Sequence, residues 1–156
     1  MLKNMYALFV SAALLIVIAG GLSALEGAFL SLDAGASANS PEGVAFGGGA
    51  SLGLDLSRNF AFGMKVAFSH DTGTLGTLEP SALFRLYLPM GDTYPFVQMD
   101  FGASIFFEDS KSYPFFLGGL CAGWRFRPGR WYIEPSLRAG YPFIWGMGLS
   151  VGLYFE

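Results

Sequence analysis

The stretch FIWGMGLSVGLYFE, residues 143–156, alternates large apolar side chains with glycine and serine. Trp145, Met147, Leu149, Val151, Leu153 and Phe155 share one parity, and Gly146, Gly148, Ser150, Gly152 and Tyr154 share the other. Successive side chains of a β-strand point to opposite faces, so the stretch reads as a strand with one greasy face and one face of little bulk.

The same alternation runs through most of the chain after residue 25. Eight segments carry it, at 27–37, 44–57, 60–69, 78–88, 95–107, 113–127, 131–141 and 143–156. Most exceed the common strand length of roughly five or six residues and approach the roughly nine to eleven needed to cross a bilayer at a tilt. No sustained helical period interrupts them.

Composition sharpens the reading. The chain has 156 residues, room for one domain, and is 53% hydrophobic, 17% aromatic and 13% charged. Average globular domains carry roughly 25% charged residues, so this chain has an unusual amount of apolar surface to hide. A net charge of -3 leaves no broad basic footprint, which argues against a nucleic-acid binder.

Part of the hydrophobicity belongs to the N-terminus. Lys3 precedes an apolar run at 5–19, followed by Gly20, Gly21, Ser23 and Ala24, the pattern of a secretory signal peptide over 1–24. The mature domain is then 25–156. A retained anchor is the alternative, although the apolar run is short for a bilayer-spanning helix. Cys121 is the only cysteine, so the chain has neither an internal disulfide nor a cysteine to lipidate after the signal.

Charge placement separates the two strand faces. Asp33, Asp55, Lys65, Glu79, Arg85, Asp100, Glu108, Arg125, Arg127, Glu134, Arg138 and Glu156 all fall on the parity opposite the large apolar residues. That parity is otherwise mostly Gly, Ala and Ser, which suits the crowded interior of a narrow barrel better than a face turned to water. A secreted soluble barrel or sandwich, with the apolar parity as its core, is the competing reading. In the membrane reading Phe62, Met64, Val66, Phe101, Ile105, Leu120, Trp145, Leu149, Leu153 and Phe155 face lipid. Asp33, Asp55, Lys65, Glu79, Arg85, Asp100, Arg125, Glu134 and Arg138 then form a nearly balanced lumen network, in which Arg138 is expected to partner Glu134.

Turn residues fit an up-and-down order. Short connections at 57–59, 89–93 and 128–130 carry Gly, Pro, Asn and Asp, and lie on the side of the mature N-terminus. The opposite connections are 38–43, 70–77, 109–112 and the corner Tyr141-Pro142-Phe143. Tyr-Pro-Phe recurs at Tyr94, Tyr113 and Tyr141, always at a strand start, and predicts an aromatic girdle shared with Trp131 and Trp145. Pro80 and Pro135, in the repeated Glu-Pro-Ser at 79–81 and 134–136, lie inside strands and predict bulges or frayed ends.

With a signal peptide, eight alternating strands, strand-starting Tyr-Pro-Phe and a final strand bearing Leu149, Val151, Leu153 and Phe155, the mature chain resembles the small outer-membrane β-barrels of the outer membrane protein X, W and A-barrel type. The resemblance implies an all-β, eight-stranded antiparallel up-and-down transmembrane barrel in the outer membrane of a diderm bacterium. It also implies lipid as solvent and the outer-membrane insertion machinery as a partner, read through the last strand. This chain differs in placing Glu156 after Phe155 and in its short outer loops.

Little in the sequence suggests chemistry. The repeated G-x-G-x-S-x-G-L at 47–54 and 146–153 keeps its glycines on one parity with no helix following, unlike a nucleotide fingerprint, so no cofactor is expected. His70 is the only histidine, and its neighbours Ser69 and Asp71 are adjacent in sequence, which on a strand points them away from it. Neither His70 nor Cys121 has metal-ligand spacing. The chain is therefore expected to be no enzyme but a structural or surface-interaction barrel with a plugged lumen, not a general porin. Passage of small hydrophobic molecules or ions remains an alternative, to which Phe106 and Phe115 on the lumen parity lend some support, and an outer-membrane lipid-modifying enzyme is another. Glu42, His70, Asp71, Asp109 and Lys111 would be the contact points for a surface ligand, whose identity the sequence leaves unknown.

Overall fold

The computed structural model describes residues 27–39, 43–71, 75–108 and 111–155. The expected signal peptide, the start of the mature chain, Glu42, Asp109 and Glu156 lie outside them.

Eight strands follow one another: β1 (Ala28–Asn39), β2 (Gly43–Asp55), β3 (Phe60–Asp71), β4 (Gly76–Tyr87), β5 (Thr93–Glu108), β6 (Lys111–Phe126), β7 (Trp131–Tyr141) and β8 (Trp145–Phe155). Each pairs antiparallel with its neighbours in sequence, and β8 returns to β1 from Ala28↔Phe155 to Ala38↔Trp145. Closure removes both sheet edges along this seam, so backbone N–H and C=O groups are paired within the wall.

Burial follows the period of two. In β4, Leu83, Arg85 and Tyr87 are buried while Phe84 and Leu86 are exposed. In β5, Phe96, Gln98 and Asp100 are buried while Val97, Met99 and Phe101 are exposed. The buried sets point into the barrel, whose core is therefore its lumen, and the exposed sets wrap the outer wall.

Several boundaries shift from the sequence expectation. β3 runs through His70 to Asp71, β8 starts at Trp145, and β5 and β6 each have 16 residues. The β5–β6 ladder is complete to Glu108↔Lys111, whereas β7 joins β6 only from Gly118↔Tyr141. This hairpin therefore rises above the low Tyr141–Trp145 corner. At the other end the tight 127–130 turn needs the left-handed backbone of Gly129, with φ of 73°.

Pro80 and Pro135 produce no bulge. The β4–β5 register steps from Leu78↔Ile105 to Ser81↔Gly102, and the β6–β7 register from Phe126↔Ile133 to Gly123↔Ser136, with equal spacing on both strands. Proline lacks the N–H, so each ladder opens locally without gaining a residue.

Candidate functional site: the barrel lumen

The centre of the lumen is a hydrogen-bonded knot built from six strands. Glu134 Oε1 on β7 accepts from Arg85 Nη1 on β4 at 2.7 Å, and the same oxygen accepts from Arg125 Nε on β6. Arg85 Nε and Nη2 donate to Gln98 Oε1 at 2.8 and 2.6 Å, and Gln98 Nε2 donates to Asp100 Oδ1 at 2.7 Å. Arg125 Nη1 donates to the Tyr154 hydroxyl, which donates to Asp55 Oδ2 at 2.7 Å. Charged groups this deep are tolerable only when paired and hydrogen-bonded, and the knot supplies both.

Aromatic rings enclose the two guanidinium groups. Arg85 lies 4.1 Å from the Phe96 centroid and Arg125 lies 4.0 Å from that of Tyr132, while Phe29 contacts both. Phe29 meets Tyr132 and Tyr154 edge to face, and Tyr87 meets Phe96 in the same way. Cation–π attraction gains when water is excluded, as here.

Glycine makes room for these rings. Phe29 pairs directly with Gly53, Phe96 with Gly123 and Tyr132 with Gly152. A Cβ on Gly123 would stand 2.8 Å from the Phe96 ring, and one on Gly53 or Gly152 would overlap Phe29 or Tyr132. Each ring lies across its partner glycine, so the glycine parity of 143–156 is half of a packing arrangement.

The two Glu-Pro-Ser repeats supply the lumen glutamates. Each ladder opening sets the glutamate opposite its own partner: Glu134 stands beside Arg125, and Glu79 accepts from Ser104 Oγ at 3.5 Å. Glu79 also accepts from Arg138 Nη2 at 2.9 Å, and Lys65 approaches Asp33 at 3.8 Å. These pairs border a cavity of about 70 Å³ opening away from the termini and lined in part by Gly35, Gly47, Gly49 and Cys121. Phe143 packs against one of these pairs, with the Arg138 guanidinium 3.4 Å from its ring centroid.

One expected pairing is wrong. Arg138 bonds Glu79, not Glu134. Four residues along one strand separate two groups by about 13 Å, beyond the reach of an ion pair, whereas β4 lies across the lumen from β7. The expected girdle also changes: Tyr94 turns inward against Tyr87 and Tyr113 pairs with inward-facing Phe106, leaving Tyr141, Trp131, Trp145 and Trp124 exposed on the outer wall. Proline at a strand start fixes the backbone but not which parity the preceding tyrosine takes.

Phe62, Met64, Phe101, Leu120, Trp145 and Leu149 are exposed on the outer wall, and Val66, Ile105, Leu153 and Phe155 are partly exposed on the same parity. Asp33, Asp55, Lys65 and Asp100 face inward with the knot. His70 Nδ1 bonds the carbonyl of Asp71 at 2.7 Å, on the parity opposite Ser69. Phe106 and Phe115 meet edge to face at 5.4 Å in the raised hairpin. Charge alone does not single out Gln98, Phe29, Phe96 and Tyr132; cross-strand glycines are the signal that finds the three rings, whereas Gln98 is found only through its register with Arg85.

Neither a family model nor a curated protein matches the sequence. Solved structures do match. The N-terminal β-barrel domain of Pseudomonas aeruginosa OprF superposes with TM-score 0.63 at 16% identity, over 82% of this chain and 97% of that one. The fold is that of the small eight-stranded outer-membrane barrels. Neisserial surface protein A, NspA, shares this barrel with TM-score 0.62 at 13% identity, over 81% of this chain and 95% of that one. The attachment invasion locus protein Ail of Yersinia pestis, in complex with the heparin analogue sucrose octasulfate, gives TM-score 0.53 at 12% identity, over 83% and 99%. An outer-membrane-type barrel of eight strands has an interior just wide enough for side chains to fill.

Proposed function

We propose that the chain is an integral outer-membrane protein of a diderm bacterium, exported through a signal peptide at 1–24. Its lumen is closed by side chains, and its role is structural or surface-interacting. The observation that carries this reading is the Arg85–Glu134–Arg125 knot, which lies between the two ends of a barrel whose wall exposes Phe62, Met64, Phe101, Leu120 and Leu149. An apolar band around a closed wall suits lipid, and a filled lumen does not suit a general porin. The termini and the short turns at 56–59, 88–92 and 127–130 would face the periplasm, and the last strand would be read by the insertion machinery. Purified chain added to a planar bilayer should give no sustained open-pore current. A steady conductance of porin size would replace the plug with a channel.

A second reading has one observation in its favour. The inward Phe106–Phe115 pair gives the raised hairpin an apolar inner face, which supports entry of a small hydrophobic molecule at the outer mouth. Uptake of such a molecule into vesicles holding the barrel, abolished by replacing Phe115 with Glu, tests it.

A further inference from the structure

Away from the strand mouths, the lumen charges divide by height into a matched set and an unmatched one. Toward the termini, Glu134 and Asp55 are met by Arg85 and Arg125, directly or through the Tyr154 hydroxyl. The outer half holds three carboxylates, Asp33, Glu79 and Asp100, and two cations, Lys65 and Arg138, all bordering the cavity of about 70 Å³. Arg138 pairs with Glu79 and Lys65 with Asp33, which leaves Asp100.

Asp100 is only 8% exposed. Among the described residues it has no ion pair, and its hydrogen bond comes from a neutral amide, Gln98 Nε2 to Oδ1 at 2.7 Å. Oδ2 has no protein partner, yet unlike Asp55 Oδ1 it keeps accessible surface, on a side chain that lines the cavity. The residue paired directly with Asp100 across the ladder is Gly119, which places no side chain beside the carboxylate. An ionised carboxylate removed from water without a partner is costly, so Oδ2 is an acceptor facing a space that a cation can enter.

We propose that the outer chamber binds a primary ammonium group, held at Asp100 Oδ2. An ammonium brings one positive charge and three N–H donors. Asp100 supplies the countercharge and a charge-assisted acceptor, and the hydroxyls of Ser136 and Ser150, on β7 and β8 in the same cavity wall, supply neutral ones. The ligand's charge then balances the outer half. At roughly 10–15 Å³ for a water, the cavity has room for an ammonium group and a short stem. A divalent metal ion fits the chamber less well, because it takes about six or more oxygen ligands, and among the described residues no three acidic, histidine or cysteine side chains converge on one point. Lys65 and Arg138 would also repel its second positive charge.

The test is thermal unfolding of the refolded barrel in neutral detergent and tetramethylammonium phosphate buffer, with methylammonium chloride replacing tetramethylammonium chloride at constant ionic strength. Sodium chloride is titrated in a parallel arm. Tetramethylammonium carries the charge without an N–H, so it is the inert reference. Saturable stabilisation by methylammonium and not by sodium is expected. Half-saturation should rise about tenfold or more in Asp100→Asn, which can keep the Gln98 hydrogen bond but loses the charge. Lys65→Met leaves Asp33 without its cation as well, and should lower the half-saturating concentration. Asp55→Asn removes a lumen carboxylate outside this cavity and should respond as the parent does. A chamber that takes only water, or an Asp100 that carries a proton, would give no response to methylammonium. That result, or an equal response to sodium, would overturn the proposal. So would the parent's half-saturation in Asp100→Asn, or in Lys65→Met where Asp100→Asn does not refold. None of these results depends on the lumen being closed, which the bilayer current tests separately.

Discussion

Arg85 and Glu134, 49 positions apart in sequence, meet at 2.7 Å across the barrel interior. Arg125 reaches the same glutamate oxygen from the adjacent strand, so one carboxylate is shared by two buried guanidinium groups. The knot therefore ties β4 to the paired strands β6 and β7 through the lumen rather than through the sheet.

Removing the shared acceptor should do more harm than removing either donor. Glu134→Gln leaves two desolvated cations facing each other, and a broken buried pair is destabilising by about 3–5 kcal/mol. Urea unfolding in micelles reads this directly. A change below about 1 kcal/mol would mean that water reaches the knot.

Ring and glycine should behave as a unit. Gly152→Ala is expected to destabilise by about 1–3 kcal/mol, through overlap with Tyr132 and a Cβ 2.6 Å from the Leu30 carbonyl oxygen. Part of that loss should return in Gly152→Ala/Tyr132→Leu. Strict additivity in the double-mutant cycle would show that the ring is not what the glycine accommodates.

Partner choice in the outer half is tested in the same way. Arg138→Met and Glu79→Gln should couple by about 0.5–3 kcal/mol, while Arg138→Met and Glu134→Gln should add to within about 0.5 kcal/mol. The reverse pattern would restore the same-strand pairing and contradict the geometry.

Depth in the membrane gives a fourth outcome. Phe101→Arg, mid-strand on the outer wall, should destabilise the refolded protein in lipid by about 2–4 kcal/mol, and Phe60→Arg, beside a turn, by about 0–1 kcal/mol. Equal values at the two positions would argue that the wall faces water.

The strands and their facing were legible because a closed barrel writes its two environments into alternate residues. Met64 beside Lys65, and Met99 beside Asp100, announce wall and lumen without any knowledge of neighbours. Contacts across the lumen were not legible, because they depend on register summed over several strands. Sequence alone therefore points Arg138 to Glu134 on its own strand, whereas its partner Glu79 lies on β4, separated from β7 by both β5 and β6. The aromatic part of the plug was half visible. The glycines of 143–156 announced missing bulk, but only the register Tyr132↔Gly152 shows what fills it.

A closed barrel that folds in a membrane environment has a direct signature on a gel. Residues 25–156 refolded from urea into detergent micelles should run faster in an unboiled gel lane than after boiling, because the closed sheet stays compact until heated. A chain that stays soluble without detergent and migrates identically in both lanes would contradict the account, and would make the apolar parity the core of a soluble protein.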